Sequence, residues 1–380
     1  MIALEAPHTT ETLERVIELD PRLRRLTVEI ERGHAVSPDA LELIRNAGCL
    51  RMAVPRAYGG TEMTLSEMLA VIEALSRAEG TLSWLVGQVM LSHLVFTHLP
   101  DETLQAVYAE GPDVHAAGAA APRGRATAVS GGVRVSGRWP LVSGCRHARW
   151  LYAQCIVSGE DTAAGGDGAA RLRTVVLRAE QARILGSWRG LGLHGSGSDD
   201  IHLKDHFSPA SHVCDLTSPP LTSTASNRVP VVVQAGLVAA AVLIGAGHAA
   251  IEAVTELAVV KRPSFSAARL ADQTVFQDRL GEACSSLLAA HALLFEAVGE
   301  VDDAGPDGAE DEVRLNAVAP KAAGLAREAI ETAYDLGGSS SATEGSPLQR
   351  RLRDARSLSQ HAAISAELLS RLGALAVAAN

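Results

Sequence analysis

The sequence predicts an α+β protein built in three successive parts: an N-terminal α-helical domain over residues 1–115, a central β domain over 116–228 and a C-terminal four-helix bundle over 229–380. Three observations lead there. Apolar residues recur at helical spacing between clear caps in the first third, the period switches to strand-like alternation near residue 116, and helical signals return after about 229 and persist. At 380 residues the chain can bury a large core, and ordinary domain sizes divide it into two or three units.

The elements follow in order. "SPDALELIRNAG" (37–48) offers Ser37 as cap, Pro38 in the first turn and Gly48 as stop. "TLSEMLAVIEALSRAEG" opens with a Thr64/Glu67 capping box and closes at Gly80, and Met68, Leu69, Ile72 and Leu75 give it one apolar face. Beyond 116, "ATAVSGGVRVSG" alternates around a Ser-Gly-Gly turn, "WLYAQCIV" and "LRTVVL" are short β-rich runs, and "IHLKDHF" alternates before Pro209. "SGEDTAAGGDGAA" (158–170) is poor in bulky residues and reads as a loop at a hairpin tip. Helices are expected near 231–260, 270–299, 314–336 and 347–372, with "EVDDAGPDGAEDE" the clearest break. Helices of about 30 residues reach roughly 45 Å, a length that suits a bundle.

Composition excludes several function classes. With 47% hydrophobic and 21% charged residues the chain reads as a folded soluble protein, and a formal charge of −10 disfavours nucleic acid or anionic membrane as partner. Cys49, Cys145, Cys155, Cys214 and Cys284 form no CxxC and no metal spacing; their odd number argues against a disulfide framework and for a reducing compartment. Acidic residues occupy the N-terminus where a signal peptide would need a basic flank, so a cytoplasmic location is expected. Residues 229–251 lack charge over a length able to span a bilayer, but they are rich in Ala, Val and Gly and run on into Glu252 and Glu256, so a helix buried on all sides is the better reading.

Apparent motifs fail on context. Gly190, Gly192 and Gly195 spell GxGxxG, yet a strand-like run follows, leaving no helix N-terminus for a pyrophosphate. Gly245, Gly247 and Ala250 precede a helix but lack the acidic residue about 20 positions on. His202 and His206 lie on a strand without a third converging ligand, so no metal is expected. There is no GxSxG elbow and no Walker loop. In "SPLQRRLRDARSLSQHAAIS" (346–365), Arg350, Asp354, Ser357 and His361 fall on one helical face, with Asp354 expected to pair with Arg350 and most arginines to face solvent.

Several stretches, taken in order, resemble the acyl-CoA dehydrogenase superfamily of flavoproteins. "VPRAYGG" (54–60) and "EGTLSW" (79–84) suit its helical start. "VSGRWPLVSGCRHARW" (135–150) resembles the strand-turn against the flavin, and "SWRGLGLHGSGSDDIHLKDHFSPASHV" (187–213) the segment that follows, with Ser208 where the family often has Val. "KRPSFS" and "FQDRLGEA" resemble the Arg-x-x-Phe and Phe-Gln pair that reaches a neighbouring subunit's flavin, and "GGSSS" with the helix after it resembles the Gly-Gly loop and Arg-Asp helix near the end of the fold. The resemblance covers nearly the whole chain and implies a helical domain, a β-barrel-like domain and a four-helix bundle, assembled as a homotetramer or dimer.

One departure is informative. Where many family dehydrogenases carry a glutamate that removes an α-proton from an acyl thioester, this sequence has Ala362, with His361 beside it. Without a carboxylate there, such proton abstraction loses its base. A His at this place, with "RWPLVSG" in the β domain, resembles the monooxygenase branch, which takes reduced FAD or FMN from a partner flavin reductase and hydroxylates a small metabolite with molecular oxygen through a flavin C4a-hydroperoxide. By that resemblance His361 and Ser143 are the catalytic candidates. Trp139, Val142, Ser143, Gly144, Arg262, Phe265, Gln277, Gly337 and Gly338 are the cofactor candidates, and Trp84 and Tyr58 the substrate-pocket candidates. An acyl-thioester dehydrogenase with a displaced base and a non-catalytic binding protein on the same fold are the alternatives.

Overall fold

In a computed structural model, which describes residues 10–158, 171–304 and 309–378, five helices precede a seven-stranded sheet and five more helices follow it among the described residues. The first group is α1 (Glu11–Arg32), α2 (Pro38–Asn46), α3 (Leu65–Ala78), α4 (Gly80–Phe96) and α5 (Asp101–Val107). The capping box of α3 forms as the sequence suggests: Thr64 accepts from the Glu67 amide and the Glu67 carboxylate accepts from the Thr64 amide. Gly80 does not simply stop this helix; it opens α4, with Glu79 at the joint.

The strands are β1 (Ala116–Val129), β2 (Gly132–Val142), β3 (Trp150–Ser158), β4 (Leu172–Arg178), β5 (Arg183–Ile184), β6 (Asp199–Pro209) and β7 (Val213–Cys214), in the order β5-β6-β2-β1-β3-β4-β7. Only β1 and β3 run parallel. The proposed hairpin tip falls mostly on 159–170, outside the described residues. Alternation sorts β3 between two cores: Trp150 and Tyr152 join Val95, Phe96, Leu104 and Tyr108, whereas Leu151, Ala153 and Cys155 pack with Trp139 inside the β part.

The last group is α6 (Val231–Val260), α7 (Thr274–Ala304), α8 (Ala309–Gly337), α9 (Pro347–Leu358) and α10 (Leu368–Ala378). Two helices, α6 and α7, are long and apolar enough to cross a bilayer. However, α6 forms the centre of the core, with 78% of its most apolar window buried. Its small residues allow that placement. A Cβ on Gly245 would overlap the Glu73 carbonyl of α3, and Ser76 donates to the Val242 carbonyl at 2.6 Å. The second GxGxxG-like run is therefore a helix–helix contact, not a phosphate loop.

The helix expected near 347–372 is broken into α9, a 3-10 turn and the start of α10. Helical spacing continues past residue 360, but α9 ends at Leu358, and His361 caps a separate 3-10 turn over Ala362–Ile364. The arginine cluster also differs from expectation. Arg350 pairs with Glu79 at 2.7 Å, both side chains buried, and Asp354 accepts from the Leu193 amide at 2.6 Å instead of pairing with Arg350. Arg351 is 4% exposed and donates to the carbonyls of Ser76, Arg77 and Ala78, each at 3.0 Å. Those carbonyls end α3 and have no helical partner of their own, which explains why a charged residue is drawn inward.

Candidate active site

Three elements meet at one point: the turn after β2, the first turns of α4, and the 3-10 turn after α9. Leu141 and Gly144 both hold positive φ, +60° and +79°, and between them Ser143 is turned inward, 6% exposed. The Trp84 indole N–H donates to Ser143 Oγ at 3.0 Å. The same indole meets the His361 ring edge-on, with centroids 5.4 Å apart and planes at 74°. Trp84 thus bridges the two catalytic candidates that the sequence placed 218 positions apart.

His361 is well defined chemically. The Ala363 amide donates to its Nδ1 at 3.3 Å, so in the neutral ring the hydrogen sits on Nε2. Burial pushes its pKa below the ordinary histidine value, and no charged neighbour contributes to the shift. The imidazole is neutral at pH 7, and no carboxylate acts on it. Ala362, at the position of the family glutamate, is exposed.

The remaining sequence-predicted residues divide into three groups. Gly144 and Val142 belong to the turn. A Cβ on Gly144 would lie 3.2 Å from Leu85 and 3.5 Å from His115, and Val142 is fully buried in the β core. Trp139 and Tyr58 are elsewhere. The Trp139 ring is fully buried among Gly124, Gly137 and Cys155 and donates to the Gln154 carbonyl at 2.7 Å, so it has no surface left for a ligand. Tyr58 packs on Tyr108 at 5.2 Å and bonds Asp101, pinning the 54–60 segment to α5, not lining a pocket.

Arg262, Phe265, Gln277, Gly337 and Gly338 gather at the far end of the bundle. Lys261 at the end of α6 donates to the Gly337 carbonyl at 2.6 Å, Arg262 to the Ala267 carbonyl and Gln277 to the Ala271 carbonyl at 3.0 Å. Gly236, near the start of α6, packs against the Ala363 carbonyl beside His361. From Gly236 to Val260, just before Arg262, the helical rise of 1.5 Å per residue gives about 36 Å. One chain therefore carries two separated sets of candidates. Phe265 is fully exposed at φ +65°.

Sequence reasoning missed Ser196 and Ser198, whose hydroxyls continue the hydrogen-bond chain from Ser143. They lie in the Gly-Ser run inside 187–213, where the family resemblance gave no individual residue a role, so only the fold shows their place. It also missed Leu141, 64% exposed in a left-handed conformation that a γ-branched residue rarely adopts.

Comparison with known proteins fits this geometry. Residues 17–108 match the acyl-CoA dehydrogenase N-terminal domain and residues 237–366 the acyl-CoA dehydrogenase C-terminal domain. The chain is 29% identical over 353 residues to an indole-3-acetate monooxygenase of Pseudomonas putida, covering 91% of this chain and 88% of the relative. It is 26% identical to the flavin-dependent monooxygenase oxygenase subunit HsaA of Rhodococcus jostii, covering 92% and 94%. The structure of XiaF from Streptomyces in complex with FADH2 and glycerol superposes with a TM-score of 0.87 at 26% identity, covering 95% of this chain and 93% of that one. The chain belongs to the acyl-CoA dehydrogenase superfamily, on its flavin-dependent monooxygenase branch.

Proposed function

We propose that this chain is the oxygenase of a two-component system: it receives reduced FAD or FMN from a separate flavin reductase and hydroxylates a small molecule with dioxygen. One observation carries this reading. A half-buried neutral imidazole, His361, stands where a dehydrogenase needs a carboxylate, and it is held beside Ser143 by a shared tryptophan.

The residues present fit a flavin ring. A planar heteroaromatic ring needs an apolar surface beside polar atoms that can meet its rim. Leu141 keeps a large apolar side chain exposed at the cost of left-handed backbone, next to the inward hydroxyl of Ser143. Bound reduced flavin supplies two electrons, so that one atom of dioxygen enters the substrate and the other leaves as water.

The chain's own groups do the rest. Ser143 hydrogen-bonds the ring, and its position is fixed by Trp84. His361 offers an Nε2–H donor to the site while its Nδ1 lone pair is held by the Ala363 amide, so its part is to donate a hydrogen bond to the reacting oxygen. Leu85 packs behind the turn at Gly144 and Val142 anchors the turn in the β core, so the polar groups of the site are backed by dry apolar packing. The separation of about 36 Å along α6 supports a homo-oligomer, a tetramer or dimer, in which Arg262, Phe265 and Gln277 of one copy complete the cofactor site of another. Domain divisions near 115/116 and 228/229, and a cytoplasmic setting, accompany this reading.

The test combines binding and turnover. Purified protein is titrated anaerobically with reduced FAD and FMN, then mixed with oxygenated buffer and small aromatic probes such as indole-3-acetate, and hydroxylated product is counted per flavin oxidised. Stoichiometric hydroxylation is expected for at least one probe, with His361→Ala losing about 10²–10⁴-fold of it while still binding flavin. A chain that binds neither flavin, or a His361→Ala variant with unchanged turnover, overturns the assignment.

A further inference from the structure

Ser143 does not act alone. Its Oγ lies 3.0 Å from Trp84 Nε1 and 2.7 Å from Ser198 Oγ, and Ser198 Oγ lies 2.7 Å from Ser196 Oγ. The three serines are 6, 5 and 1% exposed along that order. Among the described residues, the Ser196 hydroxyl has no hydrogen-bond partner besides Ser198.

Counting hydrogens fixes the direction of the chain. A hydroxyl gives one hydrogen and accepts two, whereas an indole N–H only gives. Trp84 therefore occupies one acceptor site of Ser143 outright. What Ser143 still has, one hydrogen and one lone pair, is divided between Ser198 and whatever binds in front of it. If Ser196 gives to Ser198 and Ser198 gives to Ser143, every donor in the chain is satisfied and the Ser143 hydrogen points at the ligand. In the reverse direction Ser143 would accept from the ligand, and the Ser196 hydrogen would be stranded in a buried side chain, which is disfavoured.

We propose that Ser198 is a positioning residue that locks Ser143 as a hydrogen-bond donor toward the bound ring, with Ser196 extending the buried chain behind it. This rests on the reading of Ser143 as a flavin contact. An oxidised flavin presents bare ring nitrogens where the reduced ring presents N–H groups. A donor-locked Ser143 facing such a nitrogen favours the oxidised form, lowers the midpoint potential of the bound ring and makes it a stronger reductant toward dioxygen. The serine relay thereby belongs to the chemistry although neither Ser196 nor Ser198 reaches the ligand.

The experiment compares dissociation constants for oxidised and reduced flavin, with the midpoint potential of the bound flavin as an independent readout. It uses full-length wild type and the variants Ser198→Ala, Ser196→Ala, Ser143→Ala and Ser143→Ala/Ser198→Ala. Ser198→Ala frees a lone pair on Ser143, so affinity for reduced relative to oxidised flavin rises about tenfold, which is about 1.4 kcal/mol and about +30 mV for two electrons. Ser196→Ala keeps the ratio within about twofold, because Ser198 still gives its hydrogen to Ser143 and reversal would strand it. In the Ser143→Ala background, Ser198→Ala adds no change. If Ser198→Ala folds poorly, Ser198→Cys, whose thiol donates weakly, is expected to move the ratio the same way. An unchanged ratio in both Ser198 variants, or an equal change in Ser196→Ala, overturns the proposal while leaving the monooxygenase reading intact. Failure of the wild type to bind either form overturns that reading instead.

Discussion

Replacing Glu79 by Gln tests whether the buried ion pair at the α3–α4 joint holds the first helical part to α9. Glu79 is fully buried; its carboxylate accepts from Arg350 at 2.7 Å, from the Thr27 hydroxyl at 3.0 Å and from the Thr81 amide at 3.0 Å. Burial alone would raise its pKa, but Arg350 and Arg351 outweigh that and hold it below the ordinary carboxylate value. A glutamine keeps an acceptor for Thr81 and removes the charge, leaving the Arg350 guanidinium, 6% exposed, without its anion. Removing one partner of a buried pair costs about 3–5 kcal/mol. Arg350→Met leaves Glu79 with the charge of Arg351 nearby and should cost less. Because each single change strands the other partner, the double variant should be at least about 2 kcal/mol more stable than the sum of the singles implies. The assay is urea unfolding followed by tryptophan fluorescence at pH 7. Additivity within about 0.5 kcal/mol would refute the argument. The pH dependence has a definite sign. A carboxylate whose folded pKa is depressed adds stability that is fully present above its unfolded value of about 4.3 and is lost as pH falls through the lower folded value.

Other consequences are checked more simply. Glu73 is shared by His291, at 3.0 Å, and His248, at 3.4 Å, which hold its pKa below the ordinary range despite burial, so wild type should lose stability in acid more steeply than Glu73→Gln. Thermal midpoints from pH 3 to 7 decide this. Gly192→Ala would drive a Cβ into the backbone of Arg353 and Asp354 and should destabilise by about 1–3 kcal/mol in denaturant titration. Since burial lowers the His361 pKa, its protonated form appears only below about pH 6.5. Product formation should therefore stay level from pH 8 to 6.5 and fall only in more acid buffer, an inflection that His361→Ala removes.

Legibility from sequence followed distance along the chain. The α3 capping box spans three residues and needs nothing remote, so Thr64 and Glu67 could be read directly. The stop of α9 at Leu358 could not. Its cause is tertiary: the turn that follows presses the Ala363 carbonyl onto Gly236 of α6. The arginine cluster misled for the same reason, because the acceptors of Arg351 are main-chain oxygens some 275 positions earlier that no side-chain pattern reveals. At the site, family likeness offered His361 and Ser143 as catalytic candidates and Trp84 as a substrate-pocket candidate, and the fold shows the Trp84 indole touching both. Trp139, an aromatic beside the turn, pointed inward because Gly124 and Gly137 leave a hollow for its ring.

The fastening of α3 by Arg351 bears on how the molecule is made. Helices α3 and α4 leave the ribosome early, yet the guanidinium that completes their junction is synthesised about 275 residues later. Docking of α9 onto the end of α3 therefore needs segments made far apart in time, and the same docking sets His361, just beyond α9, against Trp84 on α4.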